Sequence, residues 1–316
     1  MLEALLEIGK LIASVNFILT VITASTPLLI AGAGELMVER SGVLNLGVEG
    51  MMIMGAACGF AGAYISGSIV VGALCGVLAG MACSAIFAIL TLALAVNQVA
   101  AGLALTIFGT GLSGLIGRSF VGARIVPAPK LDLPILTDLP IIGRIVFGQD
   151  AFVYFSFALV IGIWLFLYHT RAGLVLRAVG DNHISAHALG YPVLKIRLLA
   201  VLFGGACAGL AGAFLPLAYT PFFIPGMTAG RGWIAVALVV FASWRPGRLV
   251  VGAYLFGAVT FLQLSVQALG LGIPPQLMSS LPYLATVAVL VLISRKRGTA
   301  GSAAPASLGL VFVPDR

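Results

Sequence analysis

Charge is what this sequence has least of. Of 316 residues only 10 are Asp or Glu and 17 are Lys or Arg, 9% together, where an ordinary soluble domain carries about 25%. Residues 50–117 hold no Asp, Glu, Lys, Arg or His at all, and hydrophobic residues make up 61% of the chain. A soluble globular domain is thereby excluded, and the chain reads as an all-α, polytopic transmembrane bundle. The net charge of +7 is scattered among apolar runs and forms no stripe of the kind that binds nucleic acid. Cysteine is scarce too. Cys58, Cys75, Cys83 and Cys207 lie in apolar stretches without C-x-x-C spacing or a histidine nearby, which makes them packing residues and predicts no metal site. A Walker A lysine and an H-E-x-x-H run are both missing, so neither catalysis nor a cofactor bound by this chain is expected. MLEALLEIGK, the first ten residues, has two glutamates where a signal peptide has basic residues, and no cleavage is expected.

A spanning helix needs about 20 apolar residues. Dividing the charge-poor intervals on that basis gives spans at about 11–34, 42–65, 68–94, 97–117, 151–169, 198–218, 249–270 and 280–294. One further piece, 221–244, is awkward. Its uncharged run, from Gly232 to Trp244, would cover about 20 Å as a helix against a hydrocarbon core of about 30 Å, and Pro221, Pro225 and Gly226 precede it. The expectation is a short helix completed by irregular backbone, tolerated at membrane depth only where protein buries it or a wet cavity borders it. That makes about nine crossings. With the 170–197 loop cytoplasmic, only Lys10, Arg118, Arg124, Lys130, Arg144 and Arg231 of the basic residues fall outside. The N-terminus is then outside and the C-terminus in the cytoplasm. The expected units are a transmembrane domain over 1–297, with its loop at 170–197, and a disordered cytoplasmic tail over 298–316.

Forty glycines supply small-residue stripes at Gly55 and Gly59, at Gly72, Gly76 and Gly80, and at Gly205 and Gly209. Such stripes let helices approach closely where lipid offers no hydrophobic drive. The segments 71–80 and 202–212 resemble each other; duplication and shared small-residue composition both account for it.

The ionisable residues cluster in ELMVERSGVLNLGVEG. Glu35, Glu39 and Arg40 are expected to form an interfacial ion cluster closing a helical hairpin. Asn45 and Glu49 lead into an apolar run and should be drawn into the membrane, where an ionisable group costs about 2.5–3.5 kcal/mol and faces a bundle interior or a polar pathway. A second polar segment, RAVGDNHISAHALGYPVLKIR, has Asp181 or Asn182 as a helix cap and Gly190 before Tyr191-Pro192 as a stop. His183 and His187 are four apart but lack the company a metal site requires. In the third, YTPFFIPGMTAGRGWIAVALVVFASWRPGR, Phe222, Phe223 and Trp233 could stack on a base or sugar ring; interfacial belt aromatics are the other reading.

GELMVERSGVLNLGVEGMMIMGA closely resembles the permease subunits of bacterial ABC importers in the family serving simple sugars, branched-chain amino acids and nucleosides. The N-(L/I)-G-x-E-G-M pattern is similar to the nucleoside branch, and the resemblance runs from about residue 26 to 297. It implies a permease fold with a cytoplasmic coupling helix, matched here by Gly180, Asp181, Asn182, Ser185, Ala186 and Gly190. It also implies a site in the bacterial cell (inner) membrane, a second and unlike permease subunit, and a separate ABC ATPase that binds ATP and Mg. An extracytoplasmic substrate-binding lipoprotein completes the set. Asn45, Glu49, Phe222, Phe223 and Trp233 are the expected pathway residues. The rival readings are a sugar or branched-chain amino acid importer on the same fold and, from another class, a stand-alone secondary transporter or channel.

Overall fold

The computed structural model describes residues 15–131, 142–268, 304–313 and single positions between 274 and 291. The described residues are helical, with only isolated bridges pairing Arg124 with Phe222 and Lys130 with Asp150. Helix α1 is Val15–Arg40, α2 is Val48–Ser66, α3 is Ile69–Ala88 and α4 is Gln98–Gly117. A short α5 (Ile142–Phe147) precedes α6 (Ala151–His169), α7 (Arg171–Asp181) and α8 (His183–Ala188). The chain continues through α9 (Val193–Phe214), α10 (Arg231–Phe241) and α11 (Pro246–Ala268).

Six of these are long and apolar enough to cross a membrane: Val15–Arg40, Val48–Ser66, Ile69–Ala93, Gln98–Phe120, Ala151–His169 and Val193–Tyr219. About nine crossings were expected. The piece at 221–244 is a helix of only 11 residues, α10, as its breakers require. Helix α11, 23 residues long, corresponds to the expected 249–270 span, and 280–294 lies outside the described residues apart from single positions.

Helices α1, α2 and α9 form the buried centre, while α3, α4 and α6 leave most of their surface open. Glycine decides how tightly the centre packs. At Gly209 a Cβ would collide with the backbone of Gly76 and Gly80, and one on Gly55 would strike Gly209 itself. Three backbones, α2, α3 and α9, therefore meet with no side chain between them, the arrangement lipid-embedded helices use in place of hydrophobic drive. The similar segments 71–80 and 202–212 are the two that face each other here. Both α3 and α9 end in a π-turn, Ile89–Ala93 and Leu215–Tyr219.

Candidate functional site

Between α1 and α2 the backbone leaves the helical path at residues 41–47. Its groups must find partners, because buried peptide groups left unpaired are costly. Asn45 does most of this work: its N–H donates to Glu35 Oε1 at 3.3 Å, its Nδ2 to Glu35 Oε2 at 3.5 Å, and its Oδ1 accepts from Gly47 N at 2.9 Å. Helix α4 supplies two more partners. Gln98 Oε1 accepts from Leu44 N at 2.8 Å, and Thr106 Oγ1 donates to Leu46 O at 3.2 Å.

Glu49 lies in the first turn of α2 and is buried, 7% exposed. Its carboxylate accepts three hydrogen bonds from one loop-to-helix junction: Thr228 Oγ1 at 2.6 Å, Gly230 N at 2.9 Å and Gly232 N at 2.6 Å. Gly230 is the N-cap of α10 and offers no side chain of its own. The carboxylate from α2 therefore fills the anion position at which the free N–H groups of a helix start point. The two backbones touch: a Cβ on Gly232 would lie 2.5 Å from Glu49 Cα. Glu49 thus faces inward as expected, but beside Thr228 and α10 and not beside Asn45. Arg231 is occupied elsewhere, donating to Met227 O and Thr228 O at 3.0 and 3.2 Å and lying over the Tyr219 ring.

The other end of α10 is held by the end of α1. Trp244 Nε1 donates to Glu39 Oε2, while Arg40 Nε and Nη2 donate to Trp244 O at 3.1 and 2.9 Å. Ser243 and Trp244 both have positive φ, 51° and 55°, a conformation that costs non-glycine residues of order 1–3 kcal/mol each and persists where surrounding contacts enforce it. The expected ion cluster of Glu35, Glu39 and Arg40 is not formed: Glu35 serves Asn45, Glu39 the indole, and Arg40 a carbonyl. Four residues apart on a helix, the two carboxylates do share a face, but Glu35 found its partner in the loop that follows and Glu39 found its own 205 residues away. Thr228 and Trp244 carried no local pattern that sequence reasoning could have used.

The three aromatics separate. Phe223 is 2% exposed, its ring against Gly117 and 6.3 Å from that of Phe60. It is a core residue, not one that a solute can stack on. Phe222 is half-buried, and Trp233 projects from α10 at 47% exposure.

The segment after α6 folds as two short helices. Thr170 Oγ1 accepts from Gly173 N to start α7, and Asn182 Oδ1 accepts from Ser185 N at 3.0 Å to start α8. Asn182, not Asp181, is therefore the cap, and Gly190 stops the helix at φ +85°. Asp181, Asn182, Ser185 and Gly190 are exposed, whereas Gly180 and Ala186 are buried. Gly180 packs on the carbonyl of Arg40, and Ala186 lies under Phe312 beside Val179 and Val193.

Phe312 belongs to the tail, and here the structure departs from the expected disorder. Residues 304–313 lie across this segment. Ser307 N donates to Gly180 O at 2.9 Å, Gly309 N donates to Gly42 O at 3.1 Å, and the rings of His183 and His187 meet the Phe312 ring edge-on at 5.2 and 5.3 Å. Arg197, 1% exposed, joins the parts by donating to Ser41 O at 3.2 Å and Leu310 O at 3.1 Å, with its Nη2 3.2 Å from His183 Nδ1. Guanidinium only donates, so His183 Nδ1 accepts and the ring is neutral. Burial, and then the Arg197 charge, hold its pKa below the usual histidine value. The strap, small residues followed by the apolar run Leu308–Val313, is too short to carry a helical period by which to foresee this docking.

With this geometry in view, comparison with known proteins identifies the chain. The family described as branched-chain amino acid transport system / permease component matches residues 17–293, and the chain belongs to that family. A putative glucose ABC transporter permease protein of Haloferax volcanii is 45% identical over 85% of this chain and 88% of its own length. A nucleoside ABC transporter permease protein of Lactococcus lactis is 30% identical over 92% of this chain and 95% of its own. The guanosine ABC transporter permease protein NupQ of Bacillus subtilis is 30% identical over 86% and 92%. The chain is a multi-pass permease of the ABC transporter class, a subunit that does no catalysis and works with a separate ATPase.

Proposed function

We propose that this permease lines the translocation pathway of an importer for nucleosides, in the bacterial inner membrane, with its N-terminus outside and its C-terminus in the cytoplasm. The observation that carries the pathway reading is the short helix α10, entered by irregular backbone and held at its start by the Glu49 carboxylate. Broken helices at membrane depth are found where a protein builds a solute path. Trp233 and Phe222 are the aromatics open to a solute; Glu49 and Asn45 hold the wall in place.

The exposed surface around α8, with Asp181 at the end of α7, the Asn182 cap, Ser185 and the Gly190 stop, fits the groove of an ATPase subunit, which binds ATP and Mg. Closure of the ATPase would move this segment and switch the gates by alternating access. A second, unlike permease is supported by the paired guanosine permeases of Bacillus subtilis, 30% and 22% identical to this chain. An extracytoplasmic lipoprotein would deliver the solute.

Nucleosides are favoured by the NLGVEGM run and by the nucleoside and guanosine permeases among the relatives. Import of a simple sugar is the second reading, favoured by 45% identity to the putative glucose permease. Uptake by the reconstituted complex, with labelled guanosine and labelled glucose in parallel, tests both. ATP-dependent guanosine uptake that excess glucose leaves unchanged is expected. Glucose uptake alone would replace the substrate, and uptake by this chain without an ATPase would replace the whole reading with a stand-alone transporter.

A further inference from the structure

Where α1 and α6 end and α11 begins, three helix termini border an open cavity of about 720 Å³ lined by Arg40, Arg245, Arg248, Trp164, Tyr168 and the Pro246-Gly247 start of α11. Three of its lining residues are arginines and none is acidic. A fourth arginine is adjacent, with the Arg177 guanidinium 5.1 Å from the centre of the Tyr168 ring. The start of α11 adds the partial positive charge of a helix N-terminus. Arg40 is fixed by its bonds to Trp244 O, whereas Arg245 and Arg248 are exposed and able to turn toward a ligand.

We propose that this cavity binds the phosphate-bearing headgroup of an anionic phospholipid. Guanidinium forks match phosphate oxygens two at a time, and basic pockets between transmembrane helices are suited to anionic headgroups. Position decides between a lipid and a free phosphate. The cavity lies at the level where three membrane helices terminate, with Trp164 and Tyr168 as the amphipathic aromatics typical of that boundary. From it the outer faces of α6 and α11 run toward the bilayer centre as an exposed apolar surface of Ile161, Val251 and Leu255. Along that path Phe157 and Tyr254 stack at 6.1 Å, joining the two helices. Acyl chains have a surface to follow, which inorganic phosphate would not use.

Native mass spectrometry of the complete complex, released from nanodiscs of equal phosphatidylcholine and phosphatidylglycerol, tests the assignment. Wild-type complex should retain phosphatidylglycerol in preference. Arg245→Ala/Arg248→Ala should weaken that preference about thirtyfold, the effect of removing two charges at an anionic headgroup, while Arg245→Lys/Arg248→Lys keeps most of it. Equal retention of both lipids, or a preference unchanged in the alanine variant, overturns the proposal. So does displacement of the lipid by inorganic phosphate at the concentration at which short-chain phosphatidylglycerol displaces it, which would make the site one for free anions. If the double variant does not assemble, Arg248→Gln in the same experiment decides between the same outcomes.

Discussion

The carboxylate of Glu49 accepts the backbone N–H of Gly232 at 2.6 Å, joining two helix starts that lie 183 residues apart in sequence. One side chain from the first turn of α2 thereby caps the start of α10, and the Thr228–Gly230 end of the preceding loop is anchored through it. The motif that looked like a site for solute is first a clamp on the start of α10, the element proposed to border the solute path.

Replacing Glu49 tests that clamp. Three donors meet the carboxylate, and an amide can accept with only one of its two heavy atoms, so Glu49→Gln loses at least one hydrogen bond of the charged kind, about 1.5–3 kcal/mol. Expression near wild type with uptake reduced about tenfold or more is expected in proteoliposomes, and Glu49→Leu should be worse. Wild-type uptake in both variants would make Glu49 a bystander, and loss of folded protein in both would make it purely structural.

Gly232→Ala should destabilise the protein by about 1–3 kcal/mol, because the added methyl meets the α2 backbone and neither helix can retreat. Gly111→Ala is the control. A Cβ there meets nothing within 4 Å, and in a helix the change from glycine is neutral or favourable. Thermal melting in detergent separates the two; equal melting temperatures would show that the Glu49–Gly232 approach is not tight.

Trp244→Phe removes the indole N–H from Glu39, whose Oε1 already has no hydrogen-bond partner in the structure. A loss of about 1–3 kcal/mol is expected for a buried acceptor left unmade. Adding Glu39→Gln should cost less in the Trp244→Phe background than alone. Strict additivity in that double-mutant cycle would mean that the two side chains act independently.

Acid should loosen the contact between the strap and α8. The pKa of His183 is lowered in the folded protein, so its contribution is complete above the ordinary value of about 6.5 and is lost as pH falls from there through the lowered folded value. The groups facing it are Arg197, whose bond to Nδ1 fails on protonation, and His187 across the Phe312 ring. Melting temperature should fall between pH 7 and 5, and less steeply in His183→Asn; identical slopes would count against it.

Truncation after Ala303 removes the strap that ties Gly180 to Gly42. Assembly with the ATPase should survive, since Asp181, Asn182, Ser185 and Gly190 remain, while stimulation of ATP hydrolysis by loaded binding protein should fall severalfold. Unchanged stimulation would make the strap incidental to coupling.

Hydropathy and breakers act locally, and what depends on them was legible in the sequence: the helical membrane class, the order of spans, the short α10 after Pro221 and Pro225, and a cap at Asp181 or Asn182 with its Gly190 stop. The glycine stripes could be assigned to packing for the same reason, because spacing on one helix fixes a face. Which partner each buried polar group takes is a different kind of information. Glu35 with Asn45, Glu39 with Trp244, Glu49 with Thr228 and Gly232, and Arg197 with Ser41 and Leu310 are pairings across separate elements, and no sequence period encodes them. Only the tertiary structure decides them, since a carboxylate at membrane depth must find donors wherever close helix approach brings them. The 41–47 loop, the two ends of α10 and the 304–313 strap offered those donors and acceptors, from side chains and from backbone that leaves the helical path.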